Sequence, residues 1–276
     1  MKARKHSSHR RRTGRRSLPR AARNWILFWL ALAVVAIACS HRIRPVEPPL
    51  PVSGVPVVAC GGLELPALAG NDTVIYNAEG RYTFLYAPSC KVSRWVAYKL
   101  TRSDVSGEAS RSDAFREDAL LERYGWPSAT HADYKGSGYD RGHLLPSADR
   151  TSSAAANRAT FLYSNMAPQL PKLNRGAWKL LEEHLRKQTA DYDTLYIVVG
   201  ALLDEELPTI GSGVAVPALF FKAVVLREAD AFTGEAYVMP NDAERLVGHG
   251  YVDFEVTMDS VERLTGLDLF PAIEGF

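Results

Sequence analysis

Apolar positions between residues 73 and 240 follow the spacing of strands more often than that of helices. The run LYIVVGAL at residues 195–202 is continuously apolar, which is typical of a strand buried on both faces. Five further short segments are rich in aromatic and β-branched residues, as strands are. The predicted strands are residues 73–78, 82–88, 95–101, 195–202, 218–228 and 234–240. We predict that residues 195–202 form the central strand.

The strongest helix pattern lies at residues 173–192. Trp178, Leu181 and Leu185 recur there at helical spacing, and Asn174 is a favourable N-cap residue. The spacing therefore predicts a long helix over residues 173–192 with Asn174 at its N-cap.

Three other segments complete the pattern. Residues 260–270 indicate a second helix with its exit, residues 113–123 fit either a short helix or a loop, and residues 161–168 begin like a strand. Because strands and helices do not alternate regularly, the pattern favours an α+β fold with a mainly antiparallel sheet over a doubly wound fold.

The charge of the chain is distributed unevenly. Residues 1–44 contain 12 of the 33 Lys and Arg side chains and no Asp or Glu. Residues 45–276 therefore carry 21 basic and 31 acidic side chains, a formal net charge of −10, although the whole chain has +2. A basic tail is thus joined to an acidic body.

An apolar segment, WILFWLALAVVAIAC at residues 25–39, follows the basic residues 1–24 directly. As a helix it would be about 22 Å long, which is shorter than a comfortable bilayer span and close to the apolar region of a signal peptide. The arginines before it place the N-terminus in the cytoplasm and the body across the membrane. A nucleic-acid-binding arm is the alternative for the tail. Cys39 follows small residues, so lipidation, ordinary cleavage and an uncleaved anchor all stay open.

These observations predict the domain organisation and the compartment. Residues 40–56 contain five prolines and form a spacer, and residues 57–276 form one globular domain, for which a 46% hydrophobic composition supplies a sizeable core. We expect this domain in the cell envelope, periplasmic or extracellular, and either anchored or exported. In that oxidising environment Cys60 and Cys90 are candidate disulfide partners, with two separate buried thiols as the alternative.

The stretch YDRGHLLPSADR places Asp140, Arg141, Gly142 and His143 side by side. One interpretation is a polar turn between two elements, with an exposed His143. The other is a site that holds the imidazole neutral as a base, since His titrates closest to physiological pH.

Asn174 and Glu182 offer a second chemical feature. On a regular helix, eight residues rotate by about 800°, only about 80° from alignment, so both side chains can face one side with Trp178 between them. Amide and carboxylate oxygens suit a hydrated Mg²⁺ ion. A capping Asn and a solvent-facing Glu are the alternative.

Three motifs together resemble a known family. DRGH at residues 140–143, SNMAPQ at 164–169 and LNRGAWKLLE at 173–182 are similar to motifs of the DNA/RNA non-specific endonucleases. This ββα-metal family includes secreted bacterial nucleases and mitochondrial endonuclease-G-like enzymes. The resemblance covers roughly residues 62–270. It implies a ββα-metal nuclease core within an α+β fold whose central sheet is flanked by helices.

The resemblance also implies roles at the centre of the site. His143 would be the general base that deprotonates the attacking water. Asn174 would be the sole direct protein ligand of one Mg²⁺ ion, with Mn²⁺ as an alternative, and Glu182 would hold metal-bound waters.

Further residues match the family's pattern around that centre. Asn165 would lie beside the catalytic histidine and the metal, and Arg141 occupies the arginine position of DRGH. Arg111, sixteen residues after Trp95, would contact the phosphate. Asp140 is expected to pair locally and shape the turn.

The resemblance implies a metal-dependent endonuclease that cleaves DNA and RNA without strong sequence preference, leaving 5′-phosphate and 3′-hydroxyl ends. A non-catalytic nucleic-acid-binding or uptake protein on the same fold is the alternative. The body's net charge of −10 is unusual for a nucleic-acid binder, so binding would depend on local arginines and the metal. DNA, RNA and the membrane are the expected partners. The family includes dimers, and the sequence indicates no dedicated inhibitor.

Overall fold

The fold is built around a large antiparallel sheet, and a computed structural model describes it over residues 62–203 and 206–274. These residues belong to one compact unit, Pro48–Phe276. Within them the strands are β1 (Val74–Asn77), β2 (Tyr82–Ala87), β3 (Val92–Leu100), β4 (Asp140–His143), β5 (Met166–Gln169), β6 (Thr194–Ala201), β7 (Thr209–Ile210), β8 (Val214–Ala215), β9 (Leu219–Glu228), β10 (Ala231–Pro240) and β11 (Glu255–Val256). Seven form one sheet in the order β1-β2-β3-β6-β9-β10-β11, and β4-β5 and β7-β8 form two separate two-stranded sheets.

Helices in the described part of the chain are mostly short. They are α1 (Arg102–Val105), α2 (Ala119–Glu122), α3 (His131–Tyr134), α4 (Ala154–Ala159), α5 (Trp178–Gln188) and α6 (Met258–Thr265). Single 3₁₀ turns occur at Ser147–Asp149, Tyr163–Asn165 and Tyr251–Phe254, and a π-helical turn occupies Leu173–Ala177.

The large sheet is covered on both faces, which explains why β6 is apolar throughout. Helix α5 buries Trp178 on one face, where its ring meets Phe220 at 5.8 Å between centroids. On the other face Val261 of α6 joins a second core with Phe221. Strand β6 is the fourth of seven, so the predictions of a central strand and of an α+β fold with an antiparallel sheet are confirmed. The order β4, β5, α5 supplies the expected ββα unit.

The predicted long helix at residues 173–192 is wrong at both ends. Helix α5 begins after its N-cap Ala177 and ends at Gln188. Asn174 lies inside the π-helical turn and is not the N-cap, because Gly176 adopts φ −108° and ψ −117° and interrupts the regular helix. The alignment of Asn174 with Glu182 calculated for a regular helix therefore does not apply.

Other predicted boundaries shift by less. The helix expected at residues 260–270 is α6, capped by the Thr257 side chain and ended by Gly266 at φ 72°. Residues 113–123 are a loop followed by α2, and residues 161–168 form a 3₁₀ turn that leads into β5. Cys39, Cys60 and the segments 1–24, 25–39 and 40–56 lie outside the described residues, so the predictions made for them stay predictions.

Candidate active site

The DRGH motif is a strand, so the interpretation as a polar turn is wrong. Strand β4 pairs antiparallel with β5, and Gly142 stands opposite Ala167. A Cβ atom at Gly142 would collide with the side chain of Gln169. Any side chain at position 142 would therefore have to displace the buried Gln169 side chain, and the pairing with β5 holds His143 at the end of β4.

His143 is buried against aromatic rings. Its imidazole meets the ring of Phe161 edge-on at 4.8 Å between centroids and that of Phe115 at 5.9 Å. Burial, helped by the charges of Arg111 and Arg141, lowers the pKa of His143 from 6.5 to about 3, and a backbone hydrogen bond with Arg141 acts in the opposite direction. The imidazole is therefore neutral at physiological pH.

One ring nitrogen of His143 has no partner. Nε2 is buried and makes no hydrogen bond in the part of the chain that the structure describes. In the tautomer with the proton on Nδ1, Nε2 carries the lone pair and can accept a proton.

Asn165 positions the chain that follows His143. Its Oδ1 accepts from the Leu145 backbone N at 2.9 Å, and its Nδ2 donates to the carbonyl oxygens of Leu145 at 2.9 Å and Thr160 at 2.8 Å. Asn165 is completely buried. The structure places it beside the DRGH strand, where its amide is fully occupied by backbone groups.

Arg111 and Arg141 lie on the two phenylalanine rings that enclose His143. The guanidinium carbon of Arg141 is 3.7 Å from the centroid of Phe115, and that of Arg111 is 4.9 Å from the centroid of Phe161. Arg111 also donates to the Ser147 hydroxyl at 3.1 Å. Both cations are therefore close enough to His143 to depress its pKa.

Asp140 holds the π-helical turn against β4. Its Oδ2 accepts from Asn174 Nδ2 at 2.9 Å and from Arg175 Nε at 2.8 Å, and its Oδ1 accepts from Arg175 at 2.6 Å. Burial alone would raise the pKa of Asp140, but these hydrogen bonds outweigh it and lower the pKa. The carboxylate therefore orients the Asn174 amide with Nδ2 towards Asp140, which leaves the amide oxygen free of this contact.

Glu182 is buried beside a lysine. The Nζ atom of Lys222, a completely buried residue of β9, is 3.9 Å from Glu182 Oε1 and 4.7 Å from the centroid of the Trp178 ring. Burial, which outweighs the opposing charges of Lys222 and Arg111, raises the pKa of Glu182 to about 7. The charge of Arg111 therefore acts on both Glu182 and His143.

An open cleft of about 310 Å³ lies beside the start of the DRGH strand. Arg111, Arg141 and Asn174 line it, together with Asp140 and Arg175. The structure thus brings both predicted arginines and Asn174 together at one cleft, whereas His143, Asn165 and Glu182 are not among its lining residues.

Similarity to known proteins identifies the family of this chain. The family model for DNA/RNA non-specific endonucleases matches residues 67–275. The chain belongs to this family. The prediction that it is an endonuclease is thereby confirmed.

Relatives of this endonuclease occur in bacteria and animals. A nuclease of Nostoc sp. is 38% identical over 199 residues, which are 69% of this chain and 71% of the relative. Mitochondrial endonuclease G of Bos taurus is 34% identical over 250 residues, 83% of this chain and 82% of the relative. A chain in a crystal structure of the EndoG/EndoGI complex superposes with a TM-score of 0.68 at 32% identity, over 76% of this chain and 89% of that one.

Sequence reasoning missed a buried charge network in this endonuclease. Asp149 accepts from Arg186 at 2.9 Å and from the Tyr98 hydroxyl at 3.1 Å, and its charge acts on Glu182 together with that of Lys222. The sequence does distinguish Lys222, because it is the single charged residue in the otherwise apolar run ALFFKAVVL. Nothing comparable marked Asp149, whose partners are distant in sequence.

The described residues contain neither a cluster of acidic, His or Cys metal ligands nor a helix that could span a membrane. Within residues 62–203 and 206–274, no three His, Cys, Asp or Glu side chains are grouped so as to hold a metal. Over the same ranges no helix has the length and apolar character needed to cross a bilayer. Cys90 is half-buried in the turn between β2 and β3, and its pairing with Cys60 stays a prediction.

Proposed function

We propose that this endonuclease hydrolyses phosphodiester bonds of DNA and RNA without strong sequence preference, leaving 5′-phosphate and 3′-hydroxyl ends. The observation that carries the proposal is His143, a buried and neutral imidazole with a free Nε2 beside two arginines. General bases need such a lone pair within reach of a water molecule.

His143 would take a proton from water at Nε2. The water oxygen then forms a bond to phosphorus, the bond from phosphorus to the 3′-oxygen breaks, and that oxygen acquires a proton to become the 3′-hydroxyl. An imidazole with a pKa of about 3 is a weak base in the free protein. A bound phosphate would offset the charges of Arg111 and Arg141 and raise the pKa towards the operating range.

Arg111 and Arg141 would bind the non-bridging oxygens of the scissile phosphate. Both line the cleft, and both have guanidinium groups stacked on rings next to His143. Arginine is suited to this task because its planar donors match phosphate oxygens and it stays charged. Donors held in position before the reaction stabilise the negative charge that grows in the transition state.

Asn174 and Glu182 would hold a single divalent cation, Mg²⁺ with Mn²⁺ as an alternative. The hydrogen bond to Asp140 occupies Nδ2 of Asn174, so an oxygen donor remains for a hard cation. Glu182 is an acidic group suited to hydrogen-bonding the cation's waters. When bound, such a cation neutralises charge on the phosphoryl oxygens and the leaving 3′-oxygen.

The lack of sequence preference would follow from the kind of contact that the site makes with its substrate. Contacts confined to phosphate and sugar carry little sequence information. We also propose that residues 57–276 act outside the cytoplasm, anchored or exported through the apolar segment at residues 25–39. Separation from the cell's own nucleic acid would then follow from the compartment.

The test is cleavage of plasmid DNA and of structured RNA by the full-length chain in detergent, with Mg²⁺ and with EDTA. We expect both substrates to be degraded only with the metal, to ends that a ligase or a kinase identifies as 5′-phosphate and 3′-hydroxyl. Asn174→Ala should lose most of this activity. Binding without cleavage in any divalent metal would refute the proposal and leave a nucleic-acid-binding protein on the same fold.

A further inference from the structure

Helix α3 and the residue after it form a wall of the cleft that the proposed chemistry does not use. His131, Tyr134 and Lys135 line the same cleft as Arg141 and Asn174. The strand that carries His143 begins five residues after Lys135. A phosphate held by Arg141 would therefore share the cleft with this wall.

The cleft is positively charged although the body of the protein is acidic. Its lining contains four Lys or Arg side chains and two Asp side chains, a net charge of +2 with His131 neutral, whereas residues 45–276 carry −10. Both carboxylates already have partners, since Asp113 pairs with Arg111 and Asp140 with Arg175. The positive charge of Lys135 is not neutralised by either of them.

Three hydrogen-bond donors of this wall have no acceptor among the described residues. Arg141 approaches His131 Nδ1 at 3.4 Å, and since an arginine can only donate, the proton of a neutral His131 is on Nε2. Tyr134 is buried, but its hydroxyl has no hydrogen-bond partner among the described residues. Lys135 is exposed, and its ammonium group supplies further donors.

Hydrogen bonds to the Asp133 carboxylate hold helix α3 in place. Asp133 accepts from the backbone N and the hydroxyl of Thr130, both at 2.8 Å, and from the backbone N of Ser212 at 2.7 Å and its hydroxyl at 2.6 Å. The two bonds from Thr130 cap the start of α3, and the two from Ser212 tie α3 to the turn between β7 and β8. They also occupy the Asp133 carboxylate.

We propose that His131, Tyr134 and Lys135 form a subsite for a second phosphate, the one next to the scissile phosphate of a nucleic-acid strand. A buried hydroxyl without a partner, an exposed ammonium and an imidazole N–H together match the acceptor oxygens of a phosphodiester. The inference rests on the proposed function, because His143 and the two arginines define which phosphate is scissile.

The test is binding of a fluorescent 16-nucleotide single strand by the full-length His143→Ala chain with Mg²⁺, measured by anisotropy over a range of NaCl concentrations. Adding Lys135→Gln should weaken binding about tenfold at low salt and reduce the slope of log Kd against log salt by about 0.7, the value for one lost phosphate contact. The matched control is Lys187→Gln on α5, outside the cleft, which should leave the slope unchanged. The basic tail contributes equally to all variants.

Kinetics provide a second measurement with His143 intact. Lys135→Gln should raise KM about tenfold and change kcat by less than twofold, and Lys135→Arg should restore KM. Equal salt slopes for Lys135→Gln and Lys187→Gln, or no binding at all, would overturn the subsite. Failure of the proposed function is seen separately, as absence of metal-dependent cleavage by the wild-type chain, while the slopes still decide the inference.

Discussion

Acidification should destabilise this protein through His143. Burial holds the folded-state pKa of His143 at about 3, and the unfolded chain restores the ordinary value near 6.5. Between these values only the unfolded state binds the proton. The stability contributed by neutral His143 is therefore complete above pH 6.5 and is lost as pH falls towards 3, at about 1.4 kcal/mol per pH unit.

The magnitude follows from the two pKa values. Between pH 7 and pH 4.5, the linkage amounts to about 2.5 kcal/mol. The assay is urea unfolding at both pH values for the wild type and for His143→Gln, whose side chain does not titrate. Other titrating groups affect both proteins alike, so the wild type should lose about 2.5 kcal/mol more than the variant.

A third variant separates the contribution of burial to the lowered pKa of His143 from that of the neighbouring charges. Arg111→Gln removes one neighbouring charge but leaves the imidazole buried, and burial is the largest cause of the lowered pKa. The variant should therefore keep most of the excess pH dependence. Equal acid sensitivity of the wild type and His143→Gln would refute the reasoning, since His143 would then charge in the folded state as an exposed histidine does.

Three further substitutions test the surroundings of the site. Asp140→Ala releases the amide of Asn174 and should raise the Mg²⁺ concentration for half-maximal cleavage about 10–100-fold, as loss of an orienting partner does. Lys222→Met leaves Glu182 buried without its cation and should lower the free energy of unfolding at pH 8 by about 3 kcal/mol, most of which Glu182→Gln should restore in the double variant. Gly142→Ala forces a methyl group into the opposing strand and should cost about 1–3 kcal/mol as well as activity.

The control for Gly142→Ala is Gly250→Ala. Gly250 has open space around it and a negative φ, so this substitution should leave the free energy of unfolding nearly unchanged. Equal stability of the two glycine variants would contradict the packing argument. An unchanged Mg²⁺ requirement in Asp140→Ala would mean that Asn174 needs no orientation, and additive effects in the lysine and glutamate double variant would mean that the pair is not coupled.

The sequence predicted the sheet better than it predicted the site's backbone. Apolar runs report burial on both faces directly, so β6 could be placed at the centre of the sheet. The interruption at Gly176 lies two residues after Asn174, whose contact with Asp140 joins residues far apart in the chain. Helical periodicity continues through such a turn, and for that reason the helix was predicted to begin too early.

The motif residues were recognised by type, but their environments were not. A base with a pKa near neutrality was expected, and the fold instead buries His143 between two phenylalanine rings and lowers its pKa to about 3. Lys222 reaches Glu182 from a strand of the central sheet, a contact that depends on how α5 packs. Burial and long-range pairing of this kind arise from tertiary packing, which local patterns do not encode.

The most direct test of the central claim is single-turnover cleavage of supercoiled plasmid by the wild type and by His143→Ala, both with saturating Mg²⁺ and both shown to be folded by circular dichroism. If His143 accepts the proton of the attacking water, the variant should be slower by about 10²–10⁴-fold. Near-normal cleavage by folded His143→Ala would contradict the account, because the DRGH strand would then position something other than the base.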